Sequence, residues 1–551
     1  MAPTTRMERE RSTTLAKNVL MLMLAMVTTK VMGLIYRIVI INIDGFGNEG
    51  NGYYSVGFDI YTVLLTLSSI GVPNVIAKLV SERTAAGDHR GSQRMLKVCF
   101  GLFLSISLLS ACFLYLGADF IAARIMHVPD VALTLKALAP AVFFASAIAV
   151  FRGYFSGLGS QKATSISQVV EQFANCVLSI LFVYLCIGQG PAKMAAAGNL
   201  STSASVLVAF LFLAFFYLRR RREIREDCRL QTVPAENRST GELLRVILAL
   251  SIPITAGSLI SAFNGFIDSF TITNYIQESY GPGFEKAWLE SQAAAEAGIL
   301  GKVNTIINMP LAVNTAFSTA LVPAISAAVA RGERRTAAKK LSFSLFTSLV
   351  IVFPCAVGLA VLSGPILQLL FPGAPGGAGL LALSVIPLIL LALTTIINGG
   401  LYGLGQAKIP ALALAAGAVI KFGLNYLLIR NPAIRITGAV ISSIVCDTVV
   451  FVIVFRAMKK RLPSRIRWYS HVLKPLFCSG VMGLAVWLTY LLVHRFAGNT
   501  LSTLAAVLVG VGTYLLLILL TRVFKQQELL ALPRGAMLLK IFRKMGFYKE
   551  T

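Results

Sequence analysis

Apolar residues in this chain come in long blocks separated by short polar stretches. The first block, Leu15 to Ile41, is long enough to cross a bilayer core of about 30 Å as a helix. Reading each block as a span gives fourteen: 15–42, 52–80, 95–117, 131–158, 163–187, 194–218, 243–275, 299–330, 340–362, 380–405, 408–429, 435–456, 470–494 and 499–522. The pattern predicts an all-α integral membrane protein with fourteen transmembrane helices.

Composition agrees and changes how one motif is read. Of 551 residues, 56% are hydrophobic and 13% charged, whereas soluble domains carry about 25% charged residues. Gly45-Phe46-Gly47-Asn48-Glu49-Gly50 spells G-x-G-x-x-G. A dinucleotide-binding turn needs a strand before it and a helix after it in a βαβ unit. Here the preceding Arg37–Ile41 closes a membrane helix, so no nucleotide is expected. Glycine permits positive φ and close backbone approach, which leaves two readings of Gly45, Gly47, Gly50 and Gly52, a tight turn or an outer hinge.

The net charge of +26 is unevenly placed. The N-terminus, Arg83–Lys97, the runs from Arg219, Arg331 and Arg456, and the tail hold most Lys and Arg. The alternate connections hold few: Arg124, Lys286, Arg430, Arg435 and Arg495, with Lys193 at a span edge. By the positive-inside rule both termini are cytoplasmic and the Gly45–Gly52 connection is external. The charge marks topology, and no nucleic-acid partner is expected. The first apolar run is too long for a signal peptide and lacks a cleavage site. Eight scattered cysteines without C-x-x-C and four separated histidines give neither a disulfide framework nor a metal site.

Two blocks recur in order. "GVPNVIAKLVSERTAAGD" from Gly71 resembles "LVPAISAAVARGERRTAAK" from Leu321, and "RGYFSGLGSQKATSISQ" from Arg152 resembles "NGGLYGLGQAKIPALAL" from Asn398. In this alignment Pro73 matches Pro323, and Gly157 matches Gly403. A period of about 250 residues covers six spans. Six is even, so the copies are parallel repeats. The expected organisation is a cytoplasmic N-terminus (1–14), an N-lobe (15–218), a basic cytoplasmic loop (219–242), a C-lobe (243–456), two further helices (457–522) and a basic tail (523–551). The lobe interface is the natural substrate path.

Several stretches resemble the flippases of the multidrug/oligosaccharidyl-lipid/polysaccharide (MOP) exporter superfamily: "TKVMGLIYR" from Thr29, "GNEGNGYYSV" from Gly47, "GVPNVIAKLVSE" from Gly71, "FRGYFSGLGSQKATSISQVVEQ" from Phe151 and "SIPITAGSLISAFNGFIDS" from Ser251. They most resemble the branch holding stage V sporulation protein B and the Gram-positive lipid II flippases. The resemblance covers about residues 15–525. It implies two six-helix lobes around a central cavity, alternating access, and export of a polyprenyl-diphosphate-linked saccharide. Lys30 stands where this group usually has Arg, and Asn175 where an Arg often follows the E-Q pair. A lysine binds phosphate as a point charge, without the guanidinium fork.

Charges inside spans are costly and usually face a cavity or one another. Lys30 and Arg37 lie seven residues apart, about two turns, on one face of span 1. Lys30, near mid-depth, is the candidate phosphate ligand. Arg37 is nearer the outside, where Asp59 of span 2 reaches a similar depth and suggests a pair. Arg152 and Glu171 straddle the Gly157–Gly159 turn, as a structural ion pair or as a gating element. Lys302 is either a cavity cation or a snorkelling residue, with snorkelling preferred. In the second lobe Asp268, Lys421, Asn425 and Asp447 are the polar candidates. The resemblance suggests a sodium or proton site near Asp268, yet Lys421 could itself take the cation's place or pair with Asp447. Lys78 and Glu82 read as a surface pair.

The tail from Arg522 mixes basic with apolar residues. It reads as a segment lying on anionic lipid or as a disordered end. The resulting expectation is a non-enzymatic, multi-pass flippase of the bacterial cytoplasmic membrane. Its cargo would be lipid II or a related cell-envelope precursor. No cofactor, catalytic residue or metal is expected, and coupling would come from membrane potential, H+ or Na+. A cation-coupled multidrug antiporter on the same fold is the alternative; a glycan polymerase or ligase would want a large external catalytic loop.

Overall fold

The computed structural model describes Ala25 and residues 27–234, 238–281, 283–462 and 469–524, with Gln526 and Met537. The expectations for residues 1–24 and for nearly all of the tail lie outside these. Every regular element among the described residues is helical. In chain order they are α1 (27–41), α2 (Gly47–Leu65), α3 (Val72–Ala85), α4 (His89–Phe120), α5 (Val131–Gly157), α6 (Gln161–Leu185), α7 (Pro191–Leu230), α8 (Thr240–Ser279), α9 (Lys286–Ala330), α10 (Arg334–Val361), α11 (Ser363–Leu370), α12 (Ala378–Leu383), α13 (Val385–Gly403), α14 (Lys408–Leu428), α15 (Thr437–Arg461), α16 (Lys474–His494) and α17 (Asn499–Leu520).

Thirteen segments among the described residues are long and apolar enough to span a membrane. Each matches one expected span from 52–80 onward. The first expected span, 15–42, is described only in part, as α1. The protein is thus an all-α, multi-pass membrane protein. Its helices carry many apolar side chains on the outside: Leu109, Leu116, Val419 and Leu508 are each more than 70% exposed. Small polar residues such as Ser107, Ser201, Ser205 and Thr503 are buried between helices. This inverts the soluble pattern, because lipid gives no penalty for exposing Leu and small residues let helix backbones approach.

Two connections differ from expectation. The run from Arg219, read as part of a loop, continues α7 to Leu230. The connection left between spans 243–275 and 299–330 shrinks to the few residues between Ser279 and Lys286, because both flanking helices extend through it.

The chain divides into two compact units, Met1–Lys302 with Ala418–Ala439, and Val303–Gly417 with Val440–Thr551. In the first unit, α3, α4, α5 and α7 share a core of Val80, Met95, Cys99, Phe151, Phe155 and Leu213. The buried Tyr154 is satisfied by Gln93 Nε2, and Tyr217 donates to Gln93 Oε1 at 2.9 Å. In the second unit, one core gathers Ile325, Leu341, Leu401, Val450 and Met458. Another joins α10, α16 and α17 through Phe346, Met482 and Tyr514, and receives Phe524.

The sides sorted by charge are ends of the first unit. On one end, Arg90 Nε donates to the Cys228 carbonyl at 2.9 Å and Gln231 Nε2 to Asp88 Oδ1 at 3.1 Å. Asp88 also caps α4 by accepting from Gly91 N at 2.8 Å. Away from these basic connections, Gln277 Nε2 donates to the His127 carbonyl at 3.0 Å, and Arg430 Nε pairs with Glu278 at 2.6 Å.

The repeat is visible as one packing motif built twice. A side chain on Gly157 would collide with Val80 and the Ala77 carbonyl; one on Gly403 would collide with Ile325 and the Val322 carbonyl. In each unit, then, glycines let a short helix lie backbone-to-backbone on its neighbour. The contacts equate residue 80 with 325, an offset of 245, whereas the two V-P pairs are offset by 250. Pro73 and Pro323 are therefore not equivalent. Pro73 stands at the start of α3, just after a π-helical turn (Thr66–Ile70), while Pro323 lies inside the continuous α9. Proline lacks the N–H an uninterrupted helix needs, and at Pro73 the break is accepted. Ser146 Oγ donates to the Ser68 carbonyl at 3.0 Å inside that turn.

Candidate substrate and ion site

The first glycines of the G-x-G-x-x-G stretch form the turn into α2. Gly45 and Gly47 take positive φ, 80° and 53°, where a side chain would be strained. Gly52 and Gly298 serve close approach instead: a Cβ on Gly52 would overlap the Ala294 carbonyl, and one on Gly298 the Asn48 carbonyl. Helices α2 and α9 are thus zipped together, and Asn51 Nδ2 donates to the Gly298 carbonyl at 2.6 Å. Lys302 joins this seam. It is fully buried and donates from Nζ to Asn48 Oδ1 at 2.9 Å. Its expected snorkelling is corrected: burial against α2 leaves its ammonium no path to a surface.

Lys30 lies exposed on α1, with no hydrogen bond or ion pair among the described residues. Arg37, two turns on, is buried. Its Nη2 donates to Ser55 Oγ at 2.5 Å, and its guanidinium lies 4.3 Å from the Tyr54 ring centre. The absent side chain of Gly301 leaves room beside it. Arg37 and Asp59 take different partners, contrary to the suggested pair. Ser55 and Tyr54 reach Arg37 first, and Asp59 Oδ2 accepts from Ser269 Oγ at 2.5 Å.

Asp268 is the centre of a second cluster. Lys421 Nζ donates to its Oδ2 at 2.6 Å, and Asn425 Nδ2 lies 3.2 Å from its Oδ1. Asn425 also donates to Thr271 Oγ1 at 2.9 Å. The i, i+4 spacing of Lys421 and Asn425 puts both on one face of α14. Lys421 pairs with Asp268, and Asp447 lies half-buried on α15. Arg37, Asp268 and Lys421 all lie within electrostatic reach of Asp59. Two cations and two carboxylates therefore share one region of the unit. Beside it, Ile60, Val63 and Leu64 of α2 and Phe263 and Phe266 of α8, with Phe113, Ile121 and Ile125, line an apolar cavity of about 170 Å³.

The Arg152–Glu171 pair forms as expected. Arg152 Nη2 meets Glu171 Oε2 at 2.7 Å, and its Nε donates to Ser167 Oγ at 2.9 Å. No cluster of three His, Cys, Asp or Glu side chains fit for a metal occurs among the described residues. Sequence reasoning overlooked Ser55, Ser269, Thr271, Asn48 and Asn51. Small polar residues are frequent in membrane helices, and only the adjacency of Ser269 to Asp268 offered a clue.

Residues 15–329 match the polysaccharide biosynthesis protein family. The chain belongs to this family. Its relatives in Bacillus subtilis (strain 168) include the uncharacterized membrane protein YabM, 27% identical over 95% of this chain and 96% of that one. The lipid II flippase MurJ is 24% identical over 78% and 80%, and stage V sporulation protein B 24% over 94% and 98%. Among solved structures, lipid II flippase MurJ in an inward closed conformation superposes with a TM-score of 0.66 at 15% identity, covering 90% of this chain and 97% of that one. An inward-facing multidrug resistance MATE transporter of the MOP superfamily gives 0.63 at 17%, covering 78% and 94%. The family member described here has the MOP transporter fold, and its relatives include a lipid II flippase.

Proposed function

We propose that the protein flips a polyprenyl-diphosphate-linked saccharide from the inner to the outer leaflet of a bacterial cytoplasmic membrane by alternating access. Lipid II is the cargo we favour, with both termini cytoplasmic and residues 15–218 and 243–456 as the two lobes. The observation that carries this reading is the cationic face of α1. Lys30 is exposed and unpaired among the described residues, and Arg37 is held by a hydroxyl and an aromatic ring without a carboxylate at ion-pair distance. Such groups suit a diphosphate, whose lost hydration they replace in a low-dielectric setting. A cation-selecting drug site would call for carboxylates there instead. The apolar cavity beside Asp59 suits part of a hydrocarbon chain.

Energetics agree with export. With the interior negative, moving one negative charge outward gains about 2.3 kcal/mol per 100 mV. If the cations cancel that charge while loaded, the potential drives the empty carrier back inward. The roles of Arg152 and Glu171 as a gating pair, and of Asp268, Lys421, Asn425 and Asp447 in coupling, belong to the same proposal.

The test is a proteoliposome assay with fluorescent lipid II and with a cationic dye. Flipping of lipid II without dye transport supports the reading. Dye transport without flipping would replace it with a multidrug antiporter.

A further inference from the structure

A sodium ion bound near Asp268 would need oxygen ligands, as hard cations do. The neighbourhood is rich in them: the Asp268 carboxylate, the Asn425 side-chain oxygen, the Thr271 hydroxyl and the Asn264 carbonyl. Yet the structure already fills it with a positive charge. Lys421 Nζ lies 2.6 Å from Asp268 Oδ2 and 3.5 Å from the Asn264 carbonyl oxygen. The other carboxylate oxygen, Oδ1, faces the Asn425 amide nitrogen, whose donors also serve Thr271. Both oxygens of Asp268 are taken by N–H donors. The Asn425 side-chain oxygen is left buried without a hydrogen-bond partner.

Electrostatics point the same way. Lys421 already sets a positive charge at hydrogen-bond distance from Asp268. An added sodium ion would sit beside that ammonium, where like charges repel. The residues present therefore do not fit sodium. Oxygens are at hand, but a covalently attached ammonium holds the position.

We infer that Lys421 is a tethered counter-cation for Asp268, and that this protein takes up no sodium ion there during its cycle. The consequence for coupling rests on the transporter reading above; the binding claim does not. In place of a bound ion, the Lys421–Asp268 pair supplies a fixed dipole whose cation an anionic cargo can share. Shortening residue 421 should create the sodium site that the wild-type protein lacks.

The experiment is thermal unfolding of the purified full-length protein in detergent, in sodium chloride and in choline chloride at equal ionic strength. The wild-type midpoint should be the same in both salts, and Lys421→Arg should behave likewise. Lys421→Ala should unfold at a lower temperature in choline, with the loss recovered saturably by sodium. That recovery should vanish when Asp268→Asn is added. Saturable stabilisation of the wild type by sodium, absent in Asp268→Asn, would overturn the inference. So would a folded Lys421→Ala protein that ignores sodium. If Lys421→Ala does not accumulate, the comparison of wild type with Asp268→Asn decides alone. Failure of wild type to flip lipid II in either salt would count against the proposed cargo and leave these unfolding results to stand on their own.

Discussion

Lys302 on α9 donates from Nζ to Asn48 Oδ1 on α2 at 2.9 Å, with its side chain wholly removed from solvent. The contact sits on the seam where Gly52 and Gly298 bring the two helix backbones together. A flexible charged side chain here donates to an amide oxygen on the neighbouring helix, just after the positive-φ glycines. The seam couples α2 to α9, and its residues should therefore act as a unit.

Replacing Asn48 by Leu removes an acceptor from a buried ammonium. A hydrogen bond to a charged group contributes about 1.5–3 kcal/mol, and stability should fall by that order. Adding Lys302→Met should recover part of the loss. Unfolding midpoints of the two single variants and the double variant measure this; equal and additive losses would remove the contact from the account of the seam.

A larger side chain at Gly52 or Gly298 should be worse tolerated than one at Gly47. Gly52→Val would drive its methyls into the Ala294 carbonyl, whereas a Cβ at Gly47 meets nothing within 4 Å. Gly47 has only its positive φ to lose. Expression and unfolding of Gly52→Val and Gly47→Ala compare steric overlap with backbone strain. The first should cost at least 1–3 kcal/mol, roughly the range for overpacking.

Arg152 and Glu171 should be coupled. Each single alanine variant breaks a part-buried pair at 2.7 Å, and the double variant should be milder than the sum by about 1 kcal/mol. Ser167, which accepts from Arg152 Nε, adds a third member. Strict additivity in both stability and transport would leave the two residues as independent surface charges.

Lys30 separates cargo binding from folding. It is exposed, so Lys30→Ala should change stability by no more than about 0.5 kcal/mol, while lipid II flipping is lost. Lys30→Arg should stay active, since the positive charge is kept. A stable Lys30→Ala protein that flips lipid II at the wild-type rate would sink the claim that this cation holds the headgroup.

Topology is tested at Asp44, an exposed residue in the turn between α1 and α2. In a variant lacking the native cysteines, Asp44→Cys should react with an impermeant thiol reagent applied to intact cells. Labelling only after permeabilisation would reverse the proposed orientation.

By itself the sequence determined that the chain is a bundle of membrane helices, because burying some twenty apolar residues in hydrocarbon is a local property of each block. It also showed two blocks that recur in order, from which a doubled plan is expected. The Arg152–Glu171 pair was legible too, since both residues flank one short turn and helical geometry carries them to similar heights. Distances between spans far apart in sequence were not legible. Lys302 and Asn48 are 254 residues apart, and Lys421 and Asp268 153; only packing decides which helices meet. That is why Lys302 looked free to snorkel, and why Arg37 and Asp59 were matched by depth although each found a nearer hydroxyl. The five-residue slip between the V-P pairs has the same origin. Proline repeats as a letter, but the contact is set by glycines on the partner helix.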